Sequence, residues 1–328
     1  MTFRNSPMHR SIVRALASSL ALATLGAHAA DDTKPWPHAK PITWIVGFPP
    51  GGSLDVLTRL AARKLGEKTG QSVVVDNRPG ASGFIALKAA ASAAPDGYTL
   101  ITIPGPILFN QRVPELGKEL VAVASLAQGP MVLVGPSSNG PSTVSDLVKE
   151  VRNAPRSWSY ASSGNGTSQH LAGELFNAAT GAAMTHVPYK GGGQAVTDVV
   201  GGQVPLAMLG VTPVLAHIQS GKLKAYAVTT KYRIESLPNV PTMQEAGLKD
   251  YEATQWYMVG APAGTPADRV AQMNQWINEI AASSDMKPAL LASGSVAGKG
   301  SPKEIQDFVA GDTRKWKELA EKSKLDLN

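Results

Sequence analysis

The chain has 328 residues, 43% hydrophobic and 17% charged, with no cysteine and a formal net charge of +6. A disulfide-stapled fold and thiolate metal centres are excluded, so stability must come from one or two hydrophobic cores, which this length can supply. No dense Lys/Arg run is present, which argues against a nucleic-acid or membrane surface.

Residues 1–29 read as a cleavable export leader. Arg4, Arg10 and Arg14 form a basic start, residues 15–27 are an apolar run, and Ala27-His28-Ala29 has the small-x-small form of a processing site. The run is too short to span a bilayer comfortably. The expectation is an exported, soluble protein that starts near Ala30, in a bacterial periplasm. Loss of the three arginines brings the charge to +3, an ordinary mixed surface.

Ile42–Val46 reads as a buried strand, and 55–65 as a helix with Val56, Leu57, Leu60, Ala61 and Leu65 on one face. Ser53 or Asp55 is its expected cap. A strand at 73–75, a turn at 76–80, an alanine-rich helix at 84–93 and a strand at 98–103 follow. Strands alternating with helices indicate an α/β domain with parallel strands. Residues 121–134 are apolar and extended, ending in a polar connection at 135–140. The rhythm then restarts: helix 146–152, strand 158–161, helix 169–179, strand 185–187, helix 195–200, and strands 204–209 and 224–229. A second extended stretch, 255–261, precedes a helix at 267–282. Two α/β blocks joined by two extended segments predict two lobes, two crossing hinge strands and a ligand cleft between the lobes. The expected division is 30–131 with 255–328 in lobe 1, and 132–254 in lobe 2.

Three strand–loop–helix segments are rich in glycine: 47–53, 162–168 and 188–193. Such loops aim backbone N–H groups at the space before a helix N-terminus, which suits an anion. Phe48, Pro49, Gly51, Gly52 and Ser53 make the first candidate cradle; prolines stiffen it and glycines let the backbone approach closely. An ordinary strand–helix turn is the bland alternative. Ser163, Gly164, Asn165, Thr167 and Ser168 form the richest donor cluster, although one of these side chains is needed as a helix cap. His170, just inside that helix, is read first as a structural histidine. Tyr189 and Lys190 offer a phenol and an ammonium; the usual alternative for such a lysine is solvation. Gly210 and Thr212 are placed at the cleft from lobe 2. Trp256 and Tyr257 are read either as stacking platforms for an apolar or aromatic ligand body or as hinge packing.

Six ordered motifs carry a family resemblance. They are Gly47-Phe48-Pro49-Pro50-Gly51-Gly52, Asp76-Asn77-Arg78-Pro79-Gly80-Ala81, Tyr160 through Ser168, His170 through Phe176, Val187-Pro188-Tyr189-Lys190-Gly191, and Leu237 through Thr242. Together they resemble the substrate-binding receptors of tripartite tricarboxylate transporters, the Bug receptors, over essentially the whole chain after the leader. The resemblance implies a two-lobed, type II-like periplasmic binding protein that closes on a carboxylate and delivers it to membrane permease subunits. It implies recognition by loop backbone and hydroxyl groups, often with bridging water. It implies no enzyme activity, cofactor, metal or nucleic acid, and a monomer is expected.

One departure narrows the ligand. Relatives often carry Asp where this chain has Pro205, and an acid or amide near Leu209-Gly210. Without that carboxylate a ligand ammonium has no counter-ion, so the expectation moves from amino acids to a dicarboxylate, aliphatic or aromatic such as terephthalate, or a citrate-like acid. No Gly-x-Ser-x-Gly, His-Glu-x-x-His or phosphate-loop motif occurs, so catalysis is not expected. The remaining alternative is a periplasmic sensor that feeds a receptor kinase.

Overall fold

Ile42–Val46 forms β1, with Thr43 the one polar side chain in an otherwise apolar run, as a parallel strand covered on both faces requires. It lies between β2 (Val73–Asn77) and β3 (Thr99–Gly105), parallel to both. The fully buried Trp44 keeps its indole N–H satisfied by donating to Thr102 Oγ1 at 2.8 Å. The computed structural model describes residues 35–106, 114–138 and 140–322. The expected leader, 1–29, lies outside them. Residues 35–39 form a short turn closed by His38 N–H on Pro35 O.

Helices α1 (Ser53–Thr69) and α2 (Phe84–Ala91) follow β1 and β2. Then β4 (Leu120–Pro136) runs for 17 residues and changes partners partway. Up to Pro130 it pairs antiparallel with β9 (Thr254–Pro262), and from Met131 it pairs with β7 (Leu206–Gly210); β8 (Leu223–Val228) joins at Val132. Between the two passes lie α3 (Val144–Asn153), β5 (Ser159–Ser162), α4 (Ser168–Thr180), β6 (Thr185–Pro188), α5 (Gly192–Val200), β7, α6 (Val211–Gln219) and β8. The strand order is β2-β1-β3-β9-β4-β7-β5-β6, with β8 and the two-residue β10 (Val296–Ala297) also on β4. The molecule is thus a two-lobed α/β protein whose lobes share β4 as a common strand, and β9 begins where β4 changes partners.

Side-chain alternation on β4 divides the second core. Met131 and Leu133 face a cluster with Tyr160, Phe176 and Met208; Val132 and Val134 face one with Val196, Leu209 and Val228. In the first lobe Ile45, Leu87, Ile101 and Met258 share a core. Helices α7 (Ala267–Ala281), α8 (Lys287–Ser293) and α9 (Pro302–Lys322) complete the described chain. Among the described residues no helix is long and apolar enough to cross a membrane.

Two features differ from the sequence expectation. Residues 211–219, to which the sequence analysis assigns no element, form a helix, α6; Pro213 sits in its first turn, where its missing N–H would have no intrahelical acceptor. The expected division also assigns all of 255–328 to lobe 1, but α9 spans both cores. Ile305 and Val309 pack in the first, whereas Trp316 and Ala320 pack with Tyr160 and Phe176 in the second. Two apolar patches along one long helix can each satisfy a different lobe, which helical periodicity alone does not reveal.

Candidate functional site

A cavity of about 290 Å³ lies where strand ends of both lobes meet helix starts. It is near the small end of the usual range for small-molecule sites, roughly 300–1,000 Å³. Its walls come from the opening residues of four helices: Gly52, Ser53 and Leu54 of α1; Thr167, Ser168 and Gln169 of α4; Gly191 through Gln194 of α5; Gly210 and Pro213 of α6. Each opening turn has N–H groups with no intrahelical acceptor and the positive end of a helix dipole. The first turns of α4, α5 and α6 contain no acid.

The first turn of α1 does contain an acid, Asp55, and its carboxylate is occupied. It accepts from Gly51 N–H at 3.1 Å, Asn77 Nδ2 at 2.9 Å and Arg59 Nε at 3.0 Å. Burial acts to raise its pKa, and the bonds from Arg59, Asn77 and Gly51 outweigh this and hold it below the ordinary value. Asn77 also donates to Phe48 O at 2.9 Å, which fixes the loop. Gly51 therefore spends its N–H on Asp55 and is absent from the cavity wall, a correction to its expected place in the cradle.

In lobe 2, Thr167 caps α4: its hydroxyl accepts from His170 N–H at 3.4 Å and donates to Gly164 O at 2.8 Å. Thr167 lines the cavity, but its hydroxyl proton is committed. Ser163 also lines it, with its hydroxyl donated to Gln169 Oε1. Ser168 is 2% exposed, and its hydroxyl makes no hydrogen bond among the described residues. His170 is structural: its Nδ1 accepts from Gly166 N–H at 3.1 Å, and its ring stacks on His186 at 3.9 Å between centroids. Burial lowers the pKa of His170 to about 4; burial and the neighbouring imidazole lower that of His186 to about 3.

The other expected residues divide between two chambers. Phe48, Pro49, Ser163 and Lys190 border both the main cavity and an adjoining hollow of about 250 Å³. Gly164, Asn165 and Tyr189 border the hollow instead of the main cavity, and the Tyr189 hydroxyl donates to Asp198 at 2.6 Å. Gly52, Ser53, Ser168 and Gly210 lie on the main cavity. Thr212 stands behind the wall, its hydroxyl 2.8 Å from Ser53 Oγ across the cleft. Lys190 is exposed at the rim and makes no ion pair among the described residues. It is the cation of the lining, and no lining residue is acidic.

Trp256 is not at the cleft. It points from the other face of β9, where its indole N–H donates to Asp312 Oδ2 at 2.7 Å and its ring packs against Gly105 and Phe308. Strand alternation puts Gln255 and Tyr257 on the cleft side instead, both about 95% buried or more. Sequence reading missed Gln255 and Gln169, and weighed Tyr257 only as a stacking platform or hinge packing. The available signal was period two: if Trp256 packs in the hinge, its neighbours face the ligand.

Comparison with known proteins agrees with this architecture. A family model described as tripartite tricarboxylate transporter family receptor matches residues 57–325. Protein BugT of Bordetella pertussis is 36% identical over 304 residues, covering 90% of this chain and 92% of its own. The structure of Rpa4515 from R. palustris with adipate superposes with a TM-score of 0.84 at 33% identity, covering 88% of this chain and 98% of that one. MatC from Rhodopseudomonas palustris with bound malate gives 0.80 at 27% identity, covering 85% and 98%. The chain therefore belongs to the tripartite tricarboxylate transporter receptor family of periplasmic binding proteins.

Proposed function

We propose that this receptor captures a small dicarboxylate, aliphatic or aromatic, in the cleft and hands it to the permease subunits of a tripartite tricarboxylate-type transporter. It does so as a monomer, exported behind a leader that is cleaved near Ala29. The observation that carries this reading is the wall of four helix openings with no acidic residue in the lining. A buried carboxylate that lacked partners would cost several kcal/mol in desolvation. N–H and hydroxyl donors offset this through charge-assisted bonds of about 1.5–3 kcal/mol each. They are held by the fold, so little ordering entropy is lost on binding. A cationic or zwitterionic ligand would find no counter-charge for its ammonium. The adipate and malate bound by two similar receptors belong to the same chemical class.

Calorimetric titration against mono-, di- and tricarboxylates and amino acids tests the proposal. Saturable binding of at least one dicarboxylate, with amino acids far weaker, is expected. Binding of amino acids or amines with no response to any dicarboxylate would contradict it.

A further inference from the structure

We propose that Gln255 selects the charge of the bound group: its carboxamide nitrogen donates to the acid, and two hydrogen-bond chains that meet on its oxygen aim that nitrogen. This deepens the dicarboxylate reading above and rests on it.

Gln255 is 5% exposed and lies in the cavity lining on β9. Its Oε1 accepts from the Tyr257 hydroxyl at 3.0 Å and from Gln169 Nε2 at 3.4 Å. The first chain starts in lobe 2, where Ser163 donates to Gln169 Oε1 and so turns the nitrogen of Gln169 toward Gln255. The second is the Tyr257 hydroxyl itself. Elsewhere on the wall Ser53 Oγ donates to Thr212 Oγ1 of the other lobe at 2.8 Å. Burial raises the pKa of Tyr257 well above the ordinary phenol value, so it remains an O–H donor.

Both chains end as donors on one oxygen, which fills its two lone pairs. Turning the Gln255 amide over by itself would set its nitrogen against that of Gln169. Gln255 Nε2 has no acceptor among the described residues, although the residue is buried and polar. It is therefore an aimed donor with room for a ligand oxygen. The Ser53–Thr212 pair joins α1 of lobe 1 to α6 of lobe 2, so it is made only with the lobes together. The other ionisable side chains in the lining are Lys190 and Tyr257, so a glutamate at 255 would be the sole acid facing the ligand.

The test is Gln255→Glu, which keeps shape and replaces the NH₂ donor with an acceptor. Wild type is first titrated with adipate, malate and terephthalate, and the tightest binder is the probe. At pH 7.5 the variant should bind it about 100-fold more weakly, because one donor is lost and two negative groups face each other. Burial should raise the new carboxyl's pKa, and its protonated form donates as the amide did. Relative to wild type at the same pH, affinity should therefore recover about tenfold or more by pH 5. A merely distorted site would show the same deficit at both pH values.

Affinity within about threefold of wild type at pH 7.5, or a deficit unchanged at pH 5, overturns the role of Gln255 while leaving the carboxylate reading intact. Should the variant not fold by circular dichroism, Tyr257→Phe removes the donor that holds the Gln255 oxygen. That variant should bind about tenfold more weakly, and unchanged affinity would overturn the proposal. No wild-type response to any of the three acids would refute the dicarboxylate reading, and Gln255 with it.

Discussion

Ser168 opens α4 as a buried residue on the cavity wall, and its hydroxyl makes no hydrogen bond among the described residues. Thr167 performs the capping beside it, so the Ser168 hydroxyl is not needed for the helix. Ser168→Ala should therefore weaken dicarboxylate binding by about 1–2 kcal/mol while the melting temperature stays close to wild type. Calorimetry and differential scanning fluorimetry on one preparation would separate the effects; a lost melting temperature with unchanged affinity would reverse the assignment. Residue types in the donor loop were legible in the sequence, but their division of labour was not. Whether Ser163, Thr167 or Ser168 keeps a free proton depends on where Gln169 and Gly164 O fall in space. Gln255 was hidden for a different reason. Large aromatics draw attention as ligand platforms, yet the facing of β9 is set by Trp256 packing on Gly105 at its back.

Four helix starts converge on the cavity, and three were readable because glycines punctuate the strand–helix turns at 47–52, 164–166 and 191–193. The fourth, α6, follows β7 with no loop between Gly210 and Val211, so its start carries little turn signature. At the α5 start, Gly191 has φ +123°, and a Cβ there would lie 3.0 Å from Pro49 Cδ on the opposite lobe. An L-residue is strained by this backbone and also wedges the lobes. Gly191→Ala should therefore weaken dicarboxylate binding about tenfold or more. In small-angle scattering with saturating acid, it should also show a larger radius of gyration than wild type. Identical affinity and scattering would mean that this contact does not limit closure.

For the molecule as a whole, neutral groups hold the cleft, and a stacked pair of neutral imidazoles, His170 buried and His186 half-buried, sits beside it. His170 and His186 have pKa values of about 4 and about 3 in the fold, both below the 6.5 of an ordinary imidazole. Between those values and about pH 6.5 the unfolded chain thus holds more protons on these imidazoles, and their contribution to stability must fall as pH drops from there toward the folded values. The melting temperature should decline between pH 7 and pH 5, before most carboxylates titrate; a flat profile would place the pair in contact with solvent. The two-lobed plan with its crossing strands was readable from two α/β blocks joined by two long extended runs. The passage of α9 across both cores was not, because it depends on tertiary packing of Trp316 against the second lobe.

The central claim is that fixed, uncharged donors from both lobes neutralise an acid's oxygens. A crystal structure of the receptor with a bound dicarboxylate tests it most directly. The account predicts carboxylate oxygens about 2.7–3.2 Å from N–H groups at the α1 and α4 starts and from Ser168 or Gln255, with Ser53 and Thr212 still joined across the cleft. An acid held chiefly by Lys190 at the rim, or bound outside this cavity, would contradict it.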